Sequence, residues 1–402
     1  MTAMEKKDKN LNVPNLRFPE FSGEWEKTSI GECFSKVENG LTYDTDNTSG
    51  VPVTRIETIS DKSINYDRVG YANIDDKISK YEMQYGDVLF SHINSLKHIG
   101  KTAFYDAAQP LYHGMNLLLL RAKKSLDSKF LYYTLNTHKF LHRCQVLANQ
   151  AVNQASINTK ELKSINISVP QMQEQQKISG LISLLDERIE TQKKIIEDLK
   201  KLKDAICNLN FTSGSALKLG NVGKFVRGLT YSASDVIDDT MGTAVMRSNN
   251  ISNGDPANFE ELIWVNKTPN HEQILRGGDI IICMANGSSP LVGKASYYID
   301  CGMESATVGA FCGIYRSYNP LAKWLFQSKH YKKHIQRCIQ GGNGAIANIY
   351  PEDILAISFN IPSGCERVLN VLNSLEDKYL LEQKLLYRYL AVKSHLLVQL
   401  FI

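Results

Sequence analysis

Long apolar stretches are missing from this 402-residue chain. No run approaches the ~20 residues that a membrane helix needs. The opening MTAMEKKDKN is polar and charged, with no apolar secretion-signal core behind it, and residues 1–15 read as a disordered lead. The eight cysteines (33, 144, 207, 283, 301, 312, 338 and 365) form no CxxC pair, which argues against a zinc framework or a small disulfide scaffold and predicts free thiols in a reducing cytoplasm. Charge of one sign is scarce as well. With 46 Lys+Arg against 42 Asp+Glu, the net charge of +4 permits a nucleic-acid partner without arguing for one. Catalytic patterns are equally thin. There is no GxxxxGK[ST] phosphate cradle and no Ser/His/Asp or Cys/His set at recognisable spacing. His138/His142 and His330/His334 stand at i,i+4, but neither pair has the Glu of HExxH, so no metal site is expected.

What the chain does have, it has twice. ISVPQMQEQQKISGLISLLDERI from Ile167 returns as FNIPSGCERVLNVLNSLEDKY from Phe359, with Pro170 and Pro362 as the fixed points. Gly-Leu-Thr-Tyr stands at 40–43 and again at 228–231; Arg55 answers to Arg247, Gly86-Asp87 to Gly278-Asp279, Gly100-Lys101 to Gly293-Lys294, and Arg143-Cys144 to Arg337-Cys338. An ordered series at a nearly constant offset is the mark of an internal duplication. Each copy has a mixed part with short strand-like runs (GDVLFSHI, HGMNLLLLRA, GDIIICMA) and one helical stretch (SKFLYYTLNTHKFLHRCQ, LAKWLFQSKHYKKHIQRC), followed by a long helix. NLNFTSGSA at 208–216 reads as the linker.

The two long helices carry matching heptad stripes. In the first, Ile178, Ile182, Leu185, Ile189, Gln192, Ile196, Leu199, Lys203 and Ile206 follow one another at alternating steps of four and three. The second gives Val368, Leu372, Leu375, Tyr379, Glu382, Leu386, Tyr389, Lys393 and Leu396. Neither copy holds another long helix, so each stripe is expected to pack on the other, antiparallel, as a pseudo-two-fold pair. About 29 residues make a rod of roughly 43 Å, near the ~34–36 Å turn of DNA at which paired recognition modules sit. Gln192 and Glu382 are expected to meet and fix the register.

The ISVPQMQEQQKISGLISLLDERIETQKKIIEDLKKLK block, its degenerate second copy after FNIP and the GDVLFS-like strands resemble the specificity subunit of a type I restriction-modification system. The second copy departs from the pattern, with Pro-Ser-Gly-Cys-Glu-Arg in place of Pro-Gln-Met-Gln-Glu-Gln-Gln; a weakened contact is expected there. The resemblance implies an α+β chain with two mixed α/β target-recognition domains in tandem, separated by an antiparallel two-helix coiled-coil spacer. Its expected boundaries are 16–157 for the first recognition domain, 158–207 for the central conserved region with its long helix, 208–216 for the linker, 217–348 for the second recognition domain and 349–402 for the distal conserved region. It further implies a bipartite asymmetric double-stranded DNA target, docking to two methyltransferase subunits and to restriction/translocase subunits, and a bacterial cytoplasmic setting. Adenine methylation and ATP-dependent cleavage would belong to those partners, along with S-adenosylmethionine, ATP and Mg. No cofactor is expected on this chain, which lacks the Gly-rich cofactor loop and the Asn/Asp-Pro-Pro-aromatic motif of an adenine methyltransferase. The alternative reading, the non-catalytic recognition half of a fused or type IIB-like adenine methyltransferase, predicts S-adenosylmethionine binding by this chain alone.

Base reading needs side chains with paired donors and acceptors on loops or helix ends. Features shared by the copies suit fold or phosphate contact: Tyr43 and Tyr231, Arg55 and Arg247, Lys101 and Lys294. Features that differ suit base reading. These are His92, Asn94, Lys97, Asn116 and the amide-rich Asn149, Gln150, Asn153 and Gln154 in the first copy, with Asn286, Ser288 and Asn343 in the second.

Overall fold

A computed structural model describes residues 12–402 apart from 45, 61–62, 74–77, 152–153, 212, 304 and 342–345. Residues 1–11 of the expected lead therefore lie outside the described residues. Asn12 and Pro14 are buried, Val13 is half-buried and Asn15 is exposed. The carbonyl of Asn12 accepts the Trp25 N–H at 2.8 Å, and its side-chain Oδ1 accepts from the Ser168 hydroxyl at 2.9 Å.

The chain divides into two compact units, Met1–Gln192 with Leu385–Ile402 and Lys193–Lys384. The first is built on a four-stranded antiparallel sheet in the order Phe34–Asn39, Leu118–Ala122, Val88–Phe90, Thr102–Phe104. Its inner strands read as unbroken apolar runs because both faces are covered. Val88, Phe90, Leu118 and Leu120 face a core that includes helix α1 (Ser128–Leu135) and helix α2 (His138–Leu147), while Leu89, Leu117 and Leu119 face a second cluster with Ala103 and Leu111. The sequence suggests one helical stretch here; the structure divides it. Thr137 interrupts the helix by accepting the Phe140 N–H, so α2 starts afresh with its own cap.

The second unit repeats the plan. Gly223–Arg227, Cys312–Ser317, Ile280–Cys283 and Ala295–Tyr297 lie in the same strand order. Ser328 restarts the helix as Thr137 does, capping helix α3 (Lys329–Cys338) through the Tyr331 N–H. A further sheet, Val236–Ile237, Ile263–Val265, Thr243–Met246 and Ala306–Val308, is larger than its first-unit counterpart, where Val51–Val53 pairs with Gly70–Ala72.

Each long helix is launched from a paired strand. Asn166–Val169 pairs with Glu26–Ser29 and leads into helix α4 (Met172–Asn210); Ser358–Ile361 pairs with Ser215–Lys218 and leads into helix α5 (Cys365–Gln399). In the first unit Ile178 and Ile182 pack with Leu396, Leu397 and Leu400, and Asp186 pairs with Lys393. In the second, Cys207 packs with Leu372 and Lys203 pairs with Glu376. Within either unit, then, rising numbers on α4 meet falling numbers on α5, and the helices run antiparallel. Ile178, Ile182, Ile189, Gln192, Leu372, Tyr379 and Glu382 are buried, while Leu185, Ile196, Leu199, Leu375, Leu386 and Tyr389 are half-buried. No helix among the described residues is long and apolar enough to cross a membrane.

Candidate nucleic-acid interface

Both units hold their loops on the same buried frame. The Asp of each Gly-Asp turn takes two guanidinium bonds from an Arg on the neighbouring strand: Asp87 from Arg121 Nε and Nη2, both at 2.7 Å, and Asp279 from Arg316 Nε at 2.8 Å and Nη2 at 2.6 Å. The remaining carboxylate capacity caps the turn, through the Gln84 N–H at 2.7 Å and the Arg276 N–H at 2.8 Å. In each pair the Asp holds the guanidinium even more firmly protonated than usual. Sequence reading missed both arginines. The signal was present, since each follows an apolar strand at the same place in its copy.

Gly-Leu-Thr-Tyr serves the fold. A Cβ on Gly40 would stand 2.0 Å from the His113 carbonyl oxygen, and one on Gly228 would stand 2.1 Å from that of Gly309. Leu41 and Leu229 then bridge to Gly114 and Gly309 in the same parallel manner. Tyr43 and Tyr231 are half-buried, and the Tyr43 hydroxyl is buried with no hydrogen-bond partner among the described residues. Arg55 and Arg247 each open a single 3-10 turn, their backbone N–H groups accepted by Thr58 Oγ1 at 2.8 Å and Asn250 Oδ1 at 2.9 Å. Their side chains differ in surroundings. Arg55 Nε lies 3.9 Å from Glu57, whereas Arg247 Nε is buried and has no partner among the described residues.

The Gly-Lys turns rest on the short helices. Gly100 and Gly293 have φ of +82° and +79°, and their missing Cβ atoms face Leu141 and Cys144 of α2 and Ile335 of α3. Lys101 and Lys97 are exposed; Lys294 is half-buried.

Beyond α2 the chain forms a hairpin, Asn149–Ala151 with Gln154–Ser156, and the second arm pairs with Ile93–Asn94. Four of the amide-bearing residues thus share this sheet: Gln150 and Asn94 flank Ala155 in one cross-strand row, while Asn149 and Gln154 lie in the alternate rows, on the other face. Asn149, Gln150 and Gln154 are exposed. The second unit builds the same edge from Ala347–Asn348 on Ala285–Asn286, with Gln340 bridging to Asn348. Both hairpin tips, Asn153 in one unit and Asn343 in the other, lie outside the described residues. His92 is less available than its loop suggests. It is buried, its carbonyl accepts the Ile157 N–H at 3.0 Å, and burial lowers the imidazole pKa.

In the second unit a cavity of about 710 Å³ opens among Tyr231, Arg247, Asn286, Phe311 and Ile346. Three residues chosen from sequence meet there. Asn286 donates to Ser248 Oγ at 3.2 Å and accepts the N–H of exposed Ser288 at 2.9 Å. Phe311, which the sequence reading passed over, is 64% exposed at the rim. It stands two residues beyond Gly309, as half-buried Asn116 stands two beyond Gly114. The described residues contain no cluster of three or more His, Cys, Asp or Glu able to hold a metal ion, and the cysteines are free thiols.

Comparisons with known proteins bear on this doubled arrangement. Residues 22–201 match the family model of the type I restriction modification DNA specificity domain. That segment is similar to the family, and the chain as a whole has the fold of a type I specificity subunit. In fold it is similar to the type I restriction-modification S subunit from M. genitalium, with a TM-score of 0.59 at 16% identity over 97% of this chain and 99% of that one. In sequence it is 39% identical over 211 residues to a chain described as the MjaX type I restriction enzyme specificity subunit of Methanocaldococcus jannaschii, covering 51% of this chain and 50% of that one. It is 30% identical over 161 residues to the EcoKI specificity subunit of Escherichia coli, covering 37% and 32%. The chain therefore spans half or less of the length of these curated relatives.

Proposed function

We propose that this chain is the DNA-specificity subunit of a type I restriction-modification complex, each unit reading one half of a split, asymmetric double-stranded target. The observation that carries this reading is one frame built twice with different side chains on it. The Asp–Arg pairs, tight Gly contacts and hairpin edges are common to both units, whereas the edge positions hold exposed Asn149, Gln150 and Gln154 with half-buried Asn116 in one, and exposed Gln340 and Phe311 with half-buried Asn348 in the other. A shared scaffold suits phosphate positioning; differing polar edges suit different bases. The α4–α5 pair, antiparallel within each unit, is the spacer. The strand–Pro–helix junctions and helices dock two methyltransferase subunits, and the restriction/translocase subunits join that assembly. On this reading the chain is not an enzyme, binds no S-adenosylmethionine, ATP or Mg itself, and works in the bacterial cytoplasm.

Co-expression with its methyltransferase partner, followed by sequencing of methylated sites, tests the proposal. A two-part motif is expected, and exchange of residues 216–348 should alter one part alone. A single unbroken motif, or one that changes throughout on exchange, would sink it.

A further inference from the structure

From the second unit's cavity we infer that Phe311 and Arg247 form a base-reading pair directed at a thymine next to a guanine. The inference rests on the reading of the units as DNA recognition domains and adds the chemistry one of them reads. Three observations converge on it.

First, Phe311 is held outward by its own backbone. Its carbonyl accepts the N–H groups of Met284 at 2.8 Å and Ala285 at 3.1 Å, which fixes the turn while the ring stays 64% exposed. With Ile346, 54% exposed and lining the same cavity, the ring forms an apolar rim of the kind that marks a binding surface. Second, Arg247 is the one charged side chain among the cavity's described lining residues, and its Nε is buried with no partner among the described residues. Third, the two units share the arginine and the backbone but differ around them. The first has Asn116 in place of Phe311, and Glu57 lies beside Arg55 where the second has uncharged Asn249. The difference is in what is read rather than in how the domain is held.

Major-groove chemistry supplies the match. The thymine C5-methyl is the apolar group presented there, and guanine N7 and O6 are the acceptors that suit a guanidinium. An aromatic ring and an arginine lining the same cavity rim fit those groups on adjacent base pairs. Asn116 in the first unit offers an amide instead and has no such preference.

The test uses the full chain assembled with its methyltransferase partner, first mapping the wild-type motif by sequencing methylated DNA. The half-site that changes on exchange of residues 216–348 should contain adjacent T and G. Phe311→Asn should relax T against C at one position of that half and leave the other half unchanged. Phe311→Leu, which keeps an apolar group, should retain the preference. In binding assays, replacing that thymine by uracil removes only the methyl; it should weaken the wild type about four-fold, the worth of one buried methyl group, and leave Phe311→Asn unaffected. Arg247→Gln should weaken the G-containing site ten-fold or more against a G-to-A variant of it. If a split motif is found but these substitutions leave it untouched, or uracil and thymine bind alike, the inference fails while the split-target reading survives. If no split motif is found, the underlying reading has failed instead.

Discussion

Two lysines at equivalent places in the repeat, Lys203 and Lys393, break the apolar stripe of their helices, and the two units treat them differently. Lys203 is sealed in. Its side chain is 2% exposed, it meets Glu376 at 2.8 Å, and Glu376 also accepts the Tyr297 hydroxyl, whose pKa is driven up by burial first and then by that carboxylate. Lys393 pairs with Asp186 at 18% and 30% exposure, with Tyr133 as the third member at 2.9 Å from Asp186. The same sequence device is thus a buried ionic lock in one unit and a wet contact in the other. Its energetic weight comes from the surroundings, since removing one partner of a buried pair strands a charge whereas a solvated pair contributes little.

This contrast gives the largest expected effect. Glu376→Ala should destabilise the second unit by about 3–5 kcal/mol, and Asp186→Ala the first by about 1 kcal/mol or less, as read by denaturant midpoints at unchanged slope. Equal losses would show that burial does not distinguish them.

Acid should separate the units next. His113 is buried with its imidazole pKa pushed down to about 4, chiefly by burial. The corresponding residue, just before Gly309, is Val308. An unfolded histidine takes its proton near pH 6.5, so between pH 6.5 and 4 the unfolded state binds more protons than the folded one and stability falls as pH falls. The first unit should therefore lose up to about 3 kcal/mol over that window, while the second has uncharged Val308 at that place. His113→Val should flatten the first unit's pH dependence, measured by urea titration at pH 7 and pH 5.

The glycine turns come third. A Cβ at Gly293 would lie 2.2 Å from Ile335 Cγ2, and one at Gly100 would lie 3.0 Å from Leu141 Cδ2, both at positive φ. Gly293→Ala should cost about 3 kcal/mol and Gly100→Ala about 1–2 kcal/mol, strain plus overpacking against strain alone. Thermal melts would rank them, and the reverse order would mean that the helix beneath yields more easily in the second unit.

The smallest effect concerns DNA. Lys101 is exposed beside its turn, so Lys101→Ala should weaken all duplexes alike and flatten the salt dependence by about one unit. A changed sequence preference would move Lys101 from phosphate contact to base reading.

The duplication, the heptad stripes, the strand–Pro–helix junctions and the tight Gly turns follow from residue order alone, because backbone geometry and helical periodicity are local and repeat with the sequence. The placing of Asn94 and Gln150 on either side of Ala155, the Asp87–Arg121 and Asp279–Arg316 pairs, the burial of His92 and the outward Phe311 depend on which strands become neighbours. Burial and pairing belong to the packed chain, so the difference between a sealed Lys203 and a wet Lys393 was decided only when tertiary structure set the solvent around two equivalent residues.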